Sequence, residues 1–197
     1  MPNNPTVFLI MLAAVTFLIS LSKGGLGGMA GTLSTPLMAL VMPVNQVLGL
    51  LLPIMLLADV FSVALHWRRW NGRLVWLLIP GAVAGVTIGT YFIANVSTHV
   101  LKIGLAIIAL LFVAYKLLEK RILGSQKYEQ RNWHGWLAGT TAGFTSAMAH
   151  SGVPPISIYL MLQDVSPGVF IATSVLFYAI LNWIKVPYYY FTGMFDF

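Results

Sequence analysis

Glycines interrupt the first apolar run of this chain at Ser22-Lys23-Gly24-Gly25-Leu26-Gly27-Gly28-Met29-Ala30-Gly31, at a depth where an unbroken membrane helix would continue. A helix tolerates neither that glycine density nor a lysine turned toward lipid. The backbone is therefore expected to unwind here inside the protein and to line a cavity, before Thr35-Pro36 opens a short apolar helix. The same design returns at Gly143-Phe144-Thr145-Ser146-Ala147-Met148-Ala149-His150-Ser151-Gly152-Val153-Pro154-Pro155, again followed by a short apolar stretch. Superimposing Pro36 on Pro155 puts a break, a proline and a short helix in the same order twice. A repeated broken helix points to a binding site built between two related halves.

Composition decides what surrounds these breaks. Of 197 residues, 58% are hydrophobic and only 8% charged, and mean hydropathy is +0.85. No polar exterior can be drawn from that inventory, so the fold class is all-α: a polytopic transmembrane protein with inverted repeats and broken, re-entrant helices. The absence of cysteine excludes disulfides, thiol chemistry and Cys-based metal sites. A net charge of +6 could indicate nucleic acid, yet its placement argues for topology. Eight of the eleven Lys and Arg residues fall in two loops, as Arg68, Arg69 and Arg73, then Lys116, Lys120, Arg121, Lys127 and Arg131. Both loops are expected on the cytoplasmic side, with Asn95–Thr98 external. No basic segment precedes the first apolar run, which reads as a retained helix rather than a signal peptide.

Apolar runs over Val7–Leu21, Val47–His66, Leu74–Ala94, His99–Leu118 and Val169–Phe191 are long enough for most or all of a crossing. Short helices are expected at about Thr35–Met42 and from Pro154 to near Gln163. If each broken segment dips in and returns on one side, three further crossings separate the halves, and an odd number inverts the second against the first. The domains read as residues 1–118, the first transmembrane repeat; 119–133, a cytoplasmic linker; and 134–197, a second repeat that reads as incomplete. Gly81, Gly85 and Gly89 share a helix face, as do Gly135, Gly139 and Gly143, a spacing that lets helix backbones approach closely.

Charged and polar residues inside the runs are the candidate site. Lys23 either neutralises an anion or snorkels to the interface. Lys185, deep in the last run beside Asn182, either faces a cavity or pairs structurally with Asp59. Asn182 lies as far beyond Pro167 as Asp59 lies beyond Pro43, within a residue. His150 is a proton acceptor, a substrate donor or a core histidine. Its neighbours Ser151-Gly152 and the helix-starting Pro154-Pro155 make a donor-rich helix N-terminus, and the first break offers the same ahead of Pro36. The expected anion site thus combines Lys23, Gly24, Gly25, Gly27, Gly28, Thr35 and Asp59 with His150, Ser151, Gly152, Asn182 and Lys185. At rest Asp59 is expected to hold Lys185. No His-Glu-x-x-His motif, Gly-x-Ser-x-Gly elbow or close carboxylate pair is present, so the chain reads as a non-enzyme without catalytic residues, metal or cofactor.

These residues carry a resemblance. Ser22 to Gly28, Thr35-Pro36-Leu37, Leu52-Pro53-Ile54 with Asp59, Leu78-Ile79-Pro80-Gly81, Phe144-Thr145-Ser146, Ala149 to Pro155, Thr173-Ser174-Val175 and Asn182 to Tyr188 resemble the TauE/SafE (sulfite exporter) family of bacterial membrane permeases, over essentially the whole length. The resemblance implies a multi-pass secondary transporter of the bacterial inner membrane, moving small anions such as sulfite or organosulfonates with an ion or proton gradient. Partners would be the anion, a coupling ion or proton and the bilayer, with a homo-oligomer compatible and no nucleic acid. Ser151-Gly152-Val153 stands where that family more usually has glycines, and its members normally continue for two more spans, so a chain of this length is expected to be transport-inactive or unstable alone. Rival readings are a non-transporting membrane subunit or scaffold, and a passive anion channel.

Overall fold

A computed structural model describes residues 5–24, 30–122 and 131–195. Among these the elements are α1 (Pro5–Gly24), a 3-10 turn at Ala30–Leu33, α2 (Ser34–Met38), α3 (Val44–Leu65), α4 (Gly72–Asn95), α5 (Thr98–Ile122), α6 (Asn132–Ala149), α7 (Val153–Met161) and α8 (Pro167–Phe191), with no strand. The chain is an all-α polytopic membrane protein. Pro5–Lys23, Val44–Leu65, Gly72–Asn95 and Pro167–Phe191 are each long and apolar enough to cross a bilayer, while α5 contributes a shorter apolar section, Thr98–Leu111. Leu57, Phe61, Leu110 and Leu117 point outward with most of their surface uncovered, as lipid-facing side chains do.

Helix ends follow local chemistry. Asn71 caps α4, its Oδ1 accepting from the backbone N–H of Arg73 and Leu74. Pro167 starts α8 at a position where its missing N–H costs nothing. The short helix after the first break stops at Met38, earlier than the expected Met42. Its last bonds tighten to the i+3 type at Leu40 and Val41, and Pro43, which disfavours a helical residue before it, follows directly after Met42.

Both breaks return the chain toward the end from which it came. α2 packs back on α1, and Met38 joins Val15, Ile19, Val47, Leu51 and Met55 in one buried cluster. α7 packs back on α6, so that Gln163, just beyond α7, shares a cleft with Asn132 at the start of α6. Arg73 of the first basic loop and Arg131 of the second line that same cleft, which puts both loops at one end of the bundle.

The tightest interface joins α4 to α6, and both glycine stripes lie in it. A Cβ on Gly81 would run into the backbone of Trp136 and Thr140, one on Gly85 into Thr140 and Phe144, and one on Gly89 into Ala147 and Phe144. From the other side, Gly139 meets Leu78 and Ala82, and Gly143 meets Ala82 and Val86. Contacts advance together along both helices, so α4 and α6 run parallel with their backbones touching. α8 packs across α3 and α4 and completes the core: Tyr189 is buried in one cluster, Phe177 and Leu181 in another, and Tyr188 packs against both.

Candidate functional site

α1 ends with Lys23 beside α3, where the Ser62 hydroxyl donates to the Lys23 carbonyl at 2.9 Å. That docking sets the level of the ammonium. Lys23 Nζ pairs with Asp59 Oδ1, one turn before Ser62, in the one ion pair between residues of opposite charge among the described residues. The Lys23 side chain is only 14% exposed, so it does not snorkel to the interface. From α8, Asn182 Nδ2 donates to Asp59 Oδ2 at 2.6 Å. The two residues that occupy matching places in α3 and α8 therefore touch each other.

The expected Asp59–Lys185 pair does not form. Asn182 and Lys185 are three apart on α8, and only the first faces α3. Lys185 turns instead to α6, where Nζ donates to Ser146 Oγ at 3.1 Å and lies 6.0 Å from the centre of the Tyr189 ring. It is fully buried, with no carboxylate within ion-pair distance among the described residues. Tyr189 is fixed by its own hydrogen bond, OH to the Ala147 carbonyl at 2.7 Å.

His150 closes α6 in the left-handed region, with φ 52° and ψ 27°. Its N–H still bonds the Ser146 carbonyl at 2.9 Å, and the N–H of Ser151 reaches Thr145 at 3.4 Å, so the helix ends in one tight bend. A left-handed non-glycine residue is uncommon, though histidine adopts it more readily than most. The bend buries the imidazole with neither Nδ1 nor Nε2 hydrogen-bonded among the described residues, its ring centre 6.2 Å from that of Tyr189. Ser151 Oγ is buried and equally without a partner among the described residues. Gly152 then lets the chain pass close to α6, since a Cβ would lie 3.1 Å from the Ala142 carbonyl.

Between the breaks lies a cavity of about 50 Å³. Roughly 10–15 Å³ on this measure holds one water, so it has room for a few waters or one small oxyanion. Lys23, Asp59, His150, Gly152 and Asn182, all expected from the sequence, are in its wall. Lys185 stands one layer behind, through Ser146, which does line it. Ser151 is buried between two wall residues, His150 and Gly152, and Thr35 is buried in α2, its hydroxyl without a partner among the described residues, and does not line the cavity. Gly24 ends α1, while Gly25, Gly27 and Gly28 lie outside the described residues.

Sequence reasoning missed the serines. Ser22, Ser62, Ser146 and Ser174 all contribute to the wall, and the Ser22 hydroxyl accepts from the N–H of Gly31 at 2.9 Å. Each sits in an apolar run next to, or one turn from, a residue that was singled out, or on the same helix as one, and that proximity is the signal that could have found them. The first break also contributes differently from the second. α7, of nine residues, begins at the cavity with Gly152 and Val153 in its wall. α2 has only five residues, too short to gather a substantial helix dipole, so the first break offers Gly31 and the Lys23 ammonium instead.

No curated protein and no solved structure matches the chain. The family described as Sulfite exporter TauE/SafE, however, matches residues 12–197, nearly the full length and both breaks together. This broken-helix membrane protein therefore belongs to the sulfite exporter TauE/SafE family of transporters.

Proposed function

We propose that the protein is a secondary transporter that moves a small, singly charged oxyanion, such as hydrogen sulfite or a short organosulfonate, by alternating access between its two halves. One observation carries the reading: among the described residues Lys185 is wholly buried without a carboxylate, held by the Ser146 hydroxyl and the face of Tyr189. A charge kept at that depth is expensive, about 2.5–3.5 kcal/mol on insertion scales, and marks a substrate path by default. Lys23 and Asp59 cancel each other, which leaves one positive charge, that of Lys185, a layer behind the cavity wall. His150 and Ser146 supply polar atoms around it, and a sulfonate or sulfite oxygen accepts from each of these donors. No bond to the substrate is made or broken in this scheme.

Two measurements test it. In a thermal-unfolding screen, hydrogen sulfite, a short alkanesulfonate, thiosulfate, acetate and sulfate are added to purified protein. A true ligand at 100 times its dissociation constant stabilises by about 2.7 kcal/mol. The active compounds are then followed in proteoliposomes, where saturable flux driven by an ion or proton gradient is expected. Absence of stabilisation by every oxyanion would sink the assignment, and flux that never saturates would convert the protein into a channel.

The halves are proposed as inverted repeats, residues 1–118 and 134–197, joined by a linker at 119–133, in the cytoplasmic membrane of a bacterium with the basic end inside. Their arrangement supports this through the touching pair of Asp59 and Asn182 and the common end of the two basic loops. Because the chain has no cysteine, Gln126→Cys and Ser97→Cys report orientation directly. An impermeant thiol reagent applied to intact cells should label Ser97→Cys alone, and labelling of Gln126→Cys instead would reverse the topology.

A further inference from the structure

The central cavity has an apolar side as well as polar ones. Ile19 lies one turn before Lys23 on α1, and Met55 one turn before Asp59 on α3, so each shares a helix face with a member of the ion pair. Both line the cavity, both are buried, and both belong to one packed cluster, which makes a continuous apolar shelf beside the pair. The second break contributes Ser146 and His150 to the wall instead, with Lys185 behind Ser146. Charge is equally uneven. Both oxygens of Asp59 are engaged, one by Lys23 and the other by Asn182. Lys185, by contrast, has no carboxylate among the described residues. The segment that follows α1, Gly25-Leu26-Gly27-Gly28-Met29, has no ionisable side chain to add.

We infer that the site selects monoanions with a short, uncharged alkyl end, the oxyanion turned toward Ser146, His150 and Lys185 and the alkyl group resting on Ile19 and Met55. This selectivity rests on the oxyanion reading above and narrows it. A second carboxylate or sulfonate at the far end of the ligand finds no second unpaired cation. An ammonium there meets an Asp59 that is already neutralised and has to displace Lys23 to reach it. Either charge is left buried without a partner, which is strongly disfavoured. A methyl group in the same place meets apolar side chains and gains from leaving water. The volume of about 50 Å³ leaves room for roughly one or two carbons beyond the oxyanion, so Ile19 and Met55 set the length of the tail as well as its polarity.

The test is calorimetric binding of methanesulfonate, ethanesulfonate, sulfoacetate and 2-aminoethanesulfonate to purified full chain. All four carry the same sulfonate and differ at the far end. Ethanesulfonate should bind about fourfold more tightly than methanesulfonate, the gain from burying one more CH₂. Sulfoacetate, with a carboxylate at its far end, and 2-aminoethanesulfonate, with an ammonium, should each bind at least about a hundredfold more weakly than ethanesulfonate. Met55→Leu should keep the gap between the two alkanesulfonates, and Met55→Gln, which puts an amide on the shelf, should close it. Ile19→Thr, which puts a hydroxyl on the same shelf, should narrow the gap too and serves where Met55→Gln does not fold. Equal affinity for all four sulfonates, or a gap unchanged in folded Met55→Gln or Ile19→Thr, would overturn the selectivity and leave the oxyanion site standing. Absence of binding by all four would overturn the oxyanion reading and this inference with it.

Discussion

Lys185→Met is expected to abolish oxyanion binding and flux while leaving the protein folded and no easier to unfold. Methionine has nearly the length of the lysine stem and no charge to desolvate. Replacing a buried ionic group by an apolar one of similar volume is often neutral, or stabilising by about 1–4 kcal/mol. Among the described residues the hydrogen bond lost is the one to Ser146 Oγ, and a hydroxyl can turn to its own helix, as Thr140 and Thr141 do on the same α6. Lys185→Arg keeps the charge but needs more room than the tight setting between Ser146 and Tyr189 provides, so it should weaken binding rather than restore it. Lys23 makes the contrasting case. Lys23→Met strands Asp59, 2% exposed, with Asn182 as its remaining partner, and should cost about 3–5 kcal/mol. Removing the acid as well, in Lys23→Met with Asp59→Leu, should recover most of that stability. The measurements are thermal unfolding and oxyanion binding on all four variants. Wild-type affinity in Lys185→Met would end the anion-site reading, and a large loss of stability there would make Lys185 a structural residue.

A single methyl at Gly139 should destabilise the protein by about 3 kcal/mol or more. Alanine is the better helix former by about 1 kcal/mol, so propensity alone predicts the opposite sign. The added Cβ of Gly139→Ala would overlap the Leu78 carbonyl and crowd the Ala82 nitrogen. Backbone atoms on a packed helix cannot rotate aside as a side chain would, and the remedy is to push α4 and α6 apart along their length. Gly85→Ala, which meets Thr140 and Phe144, should behave alike. Gly168→Ala on α8 is the control, with nothing within 4 Å of the new carbon, and should be neutral or slightly stabilising. Unfolding in detergent compares the three. Similar Tm values for Gly139→Ala and Gly168→Ala would mean that the two helices do not touch as described.

Much of this architecture was legible because lipid removes alternatives. Every long apolar run had to be a helix, and all expected crossings begin and end within a few residues of α1, α3, α4, α5 and α8. The glycine stripes announced close approach, yet each could have faced any helix. Periodicity names the face of a helix and leaves its partner open, and only the three-dimensional register brings Gly85 to Thr140. Polar depth likewise singled out Asp59, Asn182 and Lys185. Which of them pair depends on rotation of α8 about its axis, and that rotation directs Asn182 to Asp59 and Lys185 to Ser146. Lys23 had two readings because a lysine at a helix end reaches either way. Its carbonyl's bond to Ser62 decided between them. The serines went unnoticed for a simpler reason: in sequence, a serine in an apolar run reads as one that bonds a preceding carbonyl of its own helix, and nothing local shows that Ser62 and Ser146 bond across helices instead.

The contact of α4 with α6 also limits how such a molecule moves. Where side chains interdigitate, two helices can slide by swapping rotamers and finding a second fit. Glycine seated on a carbonyl has no rotamer to exchange, so the pair has no second resting place at similar energy. In the transport cycle proposed above, this seam would be the fulcrum between the two proposed repeats, and a fulcrum stays still while the arms travel. Any rocking that opens the cavity to alternate sides of the bilayer must then be greatest for the elements away from this seam, α1 with α2 on one arm and α7 on the other.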